Sequence, residues 1–236
     1  MRSKILLGSV LLAAVASCVA ERAGQTAATS DSDTPADGAT RPVVLFLGTS
    51  LTAGMGVGVE LAYPALVQQK IDSAGLRFRV VNAGESGGTA AGGLRRIDWL
   101  LRQPVAVLVL ELGANDGLRG QDVDALGTDL QAIIDRTLQE YPEAAVVIAG
   151  MEAPPNLGAT YTDAFRNVFV DIARANDAVL IPFLLEGVAG VPELNQADGI
   201  HPTAGGQRLM ADHVWHFLGP LLAALNPRLA AADSSA

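Results

Sequence analysis

Cysteine is nearly absent from this chain of 236 residues, with Cys18 as its one representative. No intramolecular disulfide and no multi-cysteine metal site can therefore form. Basic residues are also scarce, 16 Lys and Arg against 25 Asp and Glu, which gives a formal charge of −9. They form no stripe, and a field of that sign repels a phosphate backbone, so nucleic acid is excluded as an expected partner. Histidine occurs three times, at 201, 213 and 216. His213 and His216 stand three apart with only Asp212 beside them, a pattern that suits surface or packing roles better than metal ligation. The apolar run from Ile5 to Ala16 is shorter than the roughly 20 residues a membrane-spanning helix needs.

What is present is enough apolar material, 50% of the chain, to bury the core of one domain. The start, "MRSKILLGSVLLAAVASC", combines basic Arg2 and Lys4, a short apolar run and small residues, the layout of an export signal. Its "VASC" resembles the bacterial lipobox, in which the cysteine becomes the N-terminus and carries lipid, so Cys18 is read as a lipidation site and a membrane as a partner through that anchor. The alternative is an ordinary secretory signal cut near Ala20 or Ala23. Either reading implies an exported protein of the bacterial cell envelope, anchored and periplasmic or else secreted. The following "ERAGQTAATSDSDTPADGAT" has no aromatic and no apolar periodicity, and reads as a tether. The expected organisation is a leader over residues 1–18, a linker over 19–41, one globular domain over 42–227 and a frayed tail over 228–236.

Inside the domain the chain alternates. "VVLFL" (43–47), "FRVVNA" (78–83), "VAVLVLEL" (105–112), "AAVVIAG" (144–150) and "AVLIPF" (178–183) are short aliphatic runs with little polar alternation, as a parallel sheet covered on both faces requires. Helical patterns lie between them; in one, Leu126, Leu130, Ile133, Ile134 and Leu138 recur at helical spacing. The order predicts a three-layer α/β/α sandwich, flavodoxin-like, with a five-stranded parallel sheet. Ligands bind such sheets at the carboxyl ends of the strands. The strands are followed by "GTSLTAG", "GESGGT", "GANDGLRG", "MEAPPN" and, after a longer loop, "ADGIHPT".

These loops carry residues fit for acyl transfer. Ser50 follows the first strand, and a serine hydroxyl is a weak nucleophile until a base takes its proton. His201 is a suitable base, because imidazole ordinarily titrates near pH 6.5, and Asp198, three residues earlier, can hold its tautomer. The developing oxyanion needs donors, for which Gly87 N–H, Asn115 side-chain N–H and Ser50 N–H are candidates. Taken singly, Ser50 also fits a helix cap, Gly87 a tight turn and Asn115 a cap of the next segment. Glu111, ending an apolar strand, fits either a buried structural acid or a support to the site.

"GTSL", "NAGESGG", "GAND" and "DGIHP" stand in the order and spacing of the four blocks of the GDSL, or SGNH, hydrolases, and the chain resembles that family over residues 43–225. The likeness is to the branch that contains bacterial multifunctional thioesterase/lysophospholipase and arylesterases. It implies Ser50 as nucleophile, Asp198 and His201 as its triad partners, and Ser50, Gly87 and Asn115 as oxyanion donors. Two positions depart from the pattern: Thr49 replaces the Asp of the GDSL string, and Gly88 stands where near relatives often have Asp. The resemblance also implies a substrate groove along the loops 117–120 and 152–157, where Leu118, Pro154 and Pro155 would contact an acyl chain. The proline pair equally fits a stiff turn.

The resulting expectation is a serine esterase that hydrolyses aryl, lysophospholipid or acyl thioester bonds through an acyl-enzyme, with no metal or organic cofactor. An acetyl esterase acting on O-acetylated envelope glycans, or a non-catalytic envelope lipoprotein, are the alternatives. A nucleotide-binding module is disfavoured, since "GTSLTAGMGVG" lacks the phosphate-binding Lys-Ser/Thr string.

Overall fold

The computed structural model describes residues 41–233, and their side chains as far as Pro227; Cys18 with the leader, most of the linker and residues 234–236 lie outside the described residues. Five strands form, β1 (Val43–Gly48), β2 (Arg79–Gly84), β3 (Val105–Glu111), β4 (Ala145–Ala149) and β5 (Val179–Ile181). They make one sheet in the order β2-β1-β3-β4-β5, and every pair is parallel. All of β1 is buried, and β3 nearly so, which accounts for their unbroken aliphatic sequence. The edge strands β2 and β5 are only half-buried, and β2 accordingly tolerates Arg79 and Asn82.

The helices are α1 (Ser50–Ala53), α2 (Tyr63–Ser73), α3 (Ala90–Leu100), α4 (Ala114–Leu118), α5 (Val123–Glu140), α6 (Ala159–Ala175) and α7 (Ala204–Asp233). Helix α2 packs on α7, whereas α3 packs on α5 and α5 on α6, so helices cover both faces of the sheet. Local chemistry sets their starts: the Thr89 side chain accepts from Gly92 N–H and the Asp122 side chain from Ala125 N–H, each satisfying an orphan donor of a first turn. The Thr89 cap places the start of α3 at Ala90. At the other end α7 runs on through Pro220 and Pro227 to Asp233, beyond position 227 at which the sequence reading ends the domain.

The buried faces follow the helical period. Leu126, Leu130, Ile133, Ile134 and Thr137 of α5 are buried, as are Phe165, Phe169, Ile172 and Ala173 of α6. Phe165 and Phe169 meet edge to face at 5.3 Å, and on the opposite side Phe46 meets Tyr63 at 5.5 Å. Truncating such an aromatic to alanine costs about 3–5 kcal/mol. The consequence for function lies in the register: Gly48 pairs with both Gly84 and Glu111, so β1, β2 and β3 end level and their loops leave the sheet side by side. Chain order reverses direction between β1 and β3, the point at which open α/β sheets receive ligands.

Candidate active site

Ser50 is the first residue of α1, behind the N-cap Thr49, whose hydroxyl accepts from Leu51 N–H at 3.4 Å. As the first residue of a helix it has an N–H with no place in the helical ladder. Its side chain meets the loop before α7: His201 Nε2 lies 2.9 Å from Ser50 Oγ. On the other side of the ring, His201 Nδ1 lies 2.7 Å from Asp198 Oδ2. Asp198 Oδ1 accepts the backbone N–H groups of Ile200 and His201, at 2.9 and 3.0 Å. This turn, with Gly199 at φ 68°, aims the carboxylate at the imidazole and explains the three-residue spacing. The His201 side chain, then the two backbone donors, hold the Asp198 carboxyl well below the usual carboxylate range.

Gly87 lies in the turn from Glu85 to Gly88 that follows β2. Gly88 N–H donates to Glu85 C=O at 3.0 Å, and Gly87 adopts φ 78°, a conformation natural to glycine. Asn115 lies in α4, and its Nδ2 donates to Gly88 C=O at 2.9 Å. A side-chain amide carries two N–H groups, so this bond orients Asn115 and leaves the second for a ligand. The cap of α4 is Gly113, at φ 107°. The next acid, Asp116, is buried and accepts Ala90 N–H at 3.2 Å, tying α4 to the start of α3. Burial pushes its carboxyl up, and the Ala90 N–H opposes that.

Leu118 is 49% exposed. Pro154 and Pro155 sit at a short 3₁₀ turn, Pro155–Leu157, half-buried and exposed respectively. The loops carrying these residues are adjacent, since Tyr161 OH donates to Gln121 C=O at 2.8 Å. Met55 and Ile200, each 46% exposed, add apolar surface next to the Ser50 helix and His201 in the chain. His213 and His216 take no part: His213 Nε2 stands 3.0 Å from Phe183 C=O, and both rings pack edgewise on Phe217.

Glu111 is fully buried at the end of β3. Its Oε2 accepts Thr49 N–H at 2.8 Å and the Thr52 hydroxyl at 2.7 Å, and its Oε1 accepts the Thr49 hydroxyl at 3.0 Å. Tyr63 OH lies 2.8 Å from the Thr52 hydroxyl. Burial pushes the Glu111 carboxyl up, and these donors oppose it. The departure at Thr49 is thus accommodated by a hydroxyl that serves the helix cap and the buried acid together. Three further residues, Arg96, Gln196 and Gln207, have roles that no sequence motif marks. Buried Gln207 accepts Tyr63 N–H at 2.8 Å, and Gln196 Nε2 donates to Met55 C=O at 2.7 Å. Their only sequence signal is a polar residue beside a block or an apolar helix face.

The model of the GDSL-like Lipase/Acylhydrolase family matches residues 46–209. The chain is 41% identical over 180 residues to Esterase TesA of Pseudomonas aeruginosa, covering 76% of this chain and 89% of that protein. It is 38% identical over 181 residues to Thioesterase 1/protease 1/lysophospholipase L1 of Escherichia coli strain K12, covering 76% and 84%. The crystal structure of TesA superposes with a TM-score of 0.72 at 40% identity, covering 76% of this chain and 99% of that one.

Proposed function

Because the chain belongs to the GDSL-like lipase/acylhydrolase family and is a carboxylic ester hydrolase, we propose that Ser50 is its nucleophile, His201 its general base and Asp198 the partner that holds the imidazole. The observation that carries this reading is the unbroken Ser50–His201–Asp198 chain, at 2.9 and 2.7 Å. Asp198 accepts a hydrogen bond from Nδ1–H and so keeps the ring proton on Nδ1, which leaves Nε2 free to take the proton of Ser50 as Oγ attacks the acyl carbonyl. The oxyanion of the tetrahedral intermediate accepts Ser50 N–H, Gly87 N–H and Asn115 Nδ2–H. On collapse His201 returns the proton to the leaving alcohol or thiol, and a water deprotonated by the same nitrogen then releases the acid from the acyl-enzyme.

The substrates are small-molecule esters: aryl esters, lysophospholipids or acyl thioesters, with Leu118, Pro154 and Pro155 along the acyl chain. Hydrolysis of p-nitrophenyl esters from acetyl to long acyl chains, with Ser50→Ala as control, tests both parts. Loss of turnover in Ser50→Ala and an optimum at medium or long chains support the reading. Undiminished turnover in that variant overturns it, and an acetyl optimum redirects it to acetylated glycans.

We infer further that residues 1–18 direct export, that Cys18 carries lipid, and that residues 19–41 tether the hydrolase domain, 42–227, to a membrane of the cell envelope. The "VASC" string and the composition of the linker support this, and two or more acyl chains make such an anchor stable, at about 0.8 kcal/mol per buried CH₂. Metabolic labelling with a fatty acid gives label in the wild type and none in Cys18→Ala; label persisting in the variant would refute the anchor.

A further inference from the structure

The two loops that supply Ser50 and Gly87 meet at one atom. Gly48 C=O, two residues before Ser50, accepts Glu85 N–H at 3.0 Å, two residues before Gly87. The same carbonyl accepts Arg96 Nη2 at 3.0 Å. Arg96 Nη1 donates to Ala83 C=O at 2.6 Å, and Arg96 Nε lies 3.3 Å from Glu85 Oε2, at ion-pair distance without hydrogen-bond alignment. One planar guanidinium therefore addresses the end of β1, the end of β2 and the turn that contains Gly87. From the other side the Glu111 carboxylate holds Thr49 and Thr52, the residues that flank Ser50 and Leu51.

We propose that Arg96 and Glu111 are positioning residues that clamp the segment Gly48–Thr52 from two sides and so register the Ser50 hydroxyl against the Gly87 N–H. The proposal rests on the assignment of Ser50 and Gly87 above. A nucleophile and an oxyanion donor on separate loops gain catalytic value only when their relative position is fixed, and backbone pairing between β1 and β2 ends at Gly48 and Gly84, one residue short of Thr49 and Glu85. Glu111 extends the cross-linking past that point through Thr49 and Thr52, and Arg96 ties the two strand ends together at it through Gly48 C=O and Ala83 C=O.

Several features fit the clamp. Gly48 has no room for a side chain, since a Cβ there would fall against Thr52 Oγ1 and Glu111 Oε2. Arg96 is half-buried, and burial pushes its guanidinium down from its ordinary value while Glu85 and Glu111 oppose that shift. A fork of several donors in one plane is specific to arginine. A lysine keeps the charge but presents a single nitrogen, which cannot serve two carbonyls and Glu85 together.

Kinetics on full-length Arg96→Lys and Glu85→Gln, with Ser50→Ala alongside, tests the proposal. Arg96→Lys should lower kcat by about 10²-fold, the scale of a 1 Å misplacement, with KM nearly unchanged, because the interaction lost is one needed in the transition state. Glu85→Gln, at an exposed carboxylate, should shift kcat in the same direction and less. Millimolar guanidinium ion should restore part of the turnover of Arg96→Ala, which a purely architectural role would not allow. Wild-type kcat in folded Arg96→Lys overturns the clamp; if Arg96→Lys does not fold, wild-type kcat in Glu85→Gln overturns it. With Ser50→Ala inactive, such a result leaves the nucleophile assignment standing, whereas an active Ser50→Ala removes both.

Discussion

Gln196 Nε2 donates to Met55 C=O at 2.7 Å and to Pro202 C=O at 3.0 Å, and so joins the loop of His201 to the residue just beyond the Ser50 helix. Gln196 N–H also donates to His201 C=O at 2.7 Å, while Met55 N–H donates to Ser50 C=O at 3.0 Å. The 2.9 Å contact between His201 and Ser50 is therefore backed by a second, side-chain link between the same two loops. Gln196→Ala should lower kcat/KM by about 10-fold through looser alignment of His201 with Ser50, the proposed base and nucleophile. The accompanying stability loss should be about 1 kcal/mol, the net worth of an ordinary hydrogen bond. Steady-state kinetics and denaturant melts check both figures.

The two acids linked to Ser50 through His201 and through Thr49 should give opposite dependences of stability on pH. Asp198 is depressed in the folded protein, chiefly by the His201 side chain, so its contribution is fully present above the ordinary carboxylate value of about 3.9 and is lost as pH falls through the folded value. The stability gap between wild type and Asp198→Asn should thus close as pH falls below that value. Glu111 is raised by burial, so the folded state holds its proton more tightly than the unfolded chain. Stability then falls as pH rises from about 4.3 through the raised value. Glu111→Gln lacks that proton, and its Tm should follow a flatter pH profile across the same window.

The proposed oxyanion donors, Asn115 and Gly87, differ in what their loss removes. Asn115→Ala deletes a donor and the bond to Gly88 C=O, and kcat should drop by about 10²- to 10³-fold. Gly87→Ala keeps the N–H, and a Cβ there meets only Arg119 Nη2, at 4.0 Å. The penalty comes from φ 78°, which costs a residue with a Cβ about 1–2 kcal/mol and is relieved by turning the N–H away. Gly87→Ala should lower kcat with a smaller change in KM, and should leave the core unaffected. A crystal structure of the variant and its kinetics with one p-nitrophenyl ester check this.

The parallel sheet was legible because its central strands must be apolar on both faces, and "VVLFL" and "VAVLVLEL" admit little else. The edge strand β5 spans only Val179–Ile181, half the run that hydrophobicity suggests, since Pro182 breaks the ladder. Ser50, His201 and Asp198 were legible through blocks in which partners sit at fixed places. Arg96 was not: it lies beside the buried stripe Ala90, Gly93, Ile97 and Leu100, where a long side chain reads as surface. Its acceptor, Gly48 C=O, is 48 positions away, and no local pattern encodes such a contact. Asn115, open to reading as a cap, instead bonds Gly88, because Gly113 turns the chain at φ 107° before α4 begins.

The most direct test of the account is covalent trapping of Ser50. Incubation with a p-nitrophenyl alkylphosphonate, followed by peptide mass mapping, should place a single phosphonyl group on the peptide containing Ser50, with p-nitrophenol released in equal amount and esterase activity lost in step. Label on another residue, or activity that survives complete labelling, would contradict Ser50 as the nucleophile.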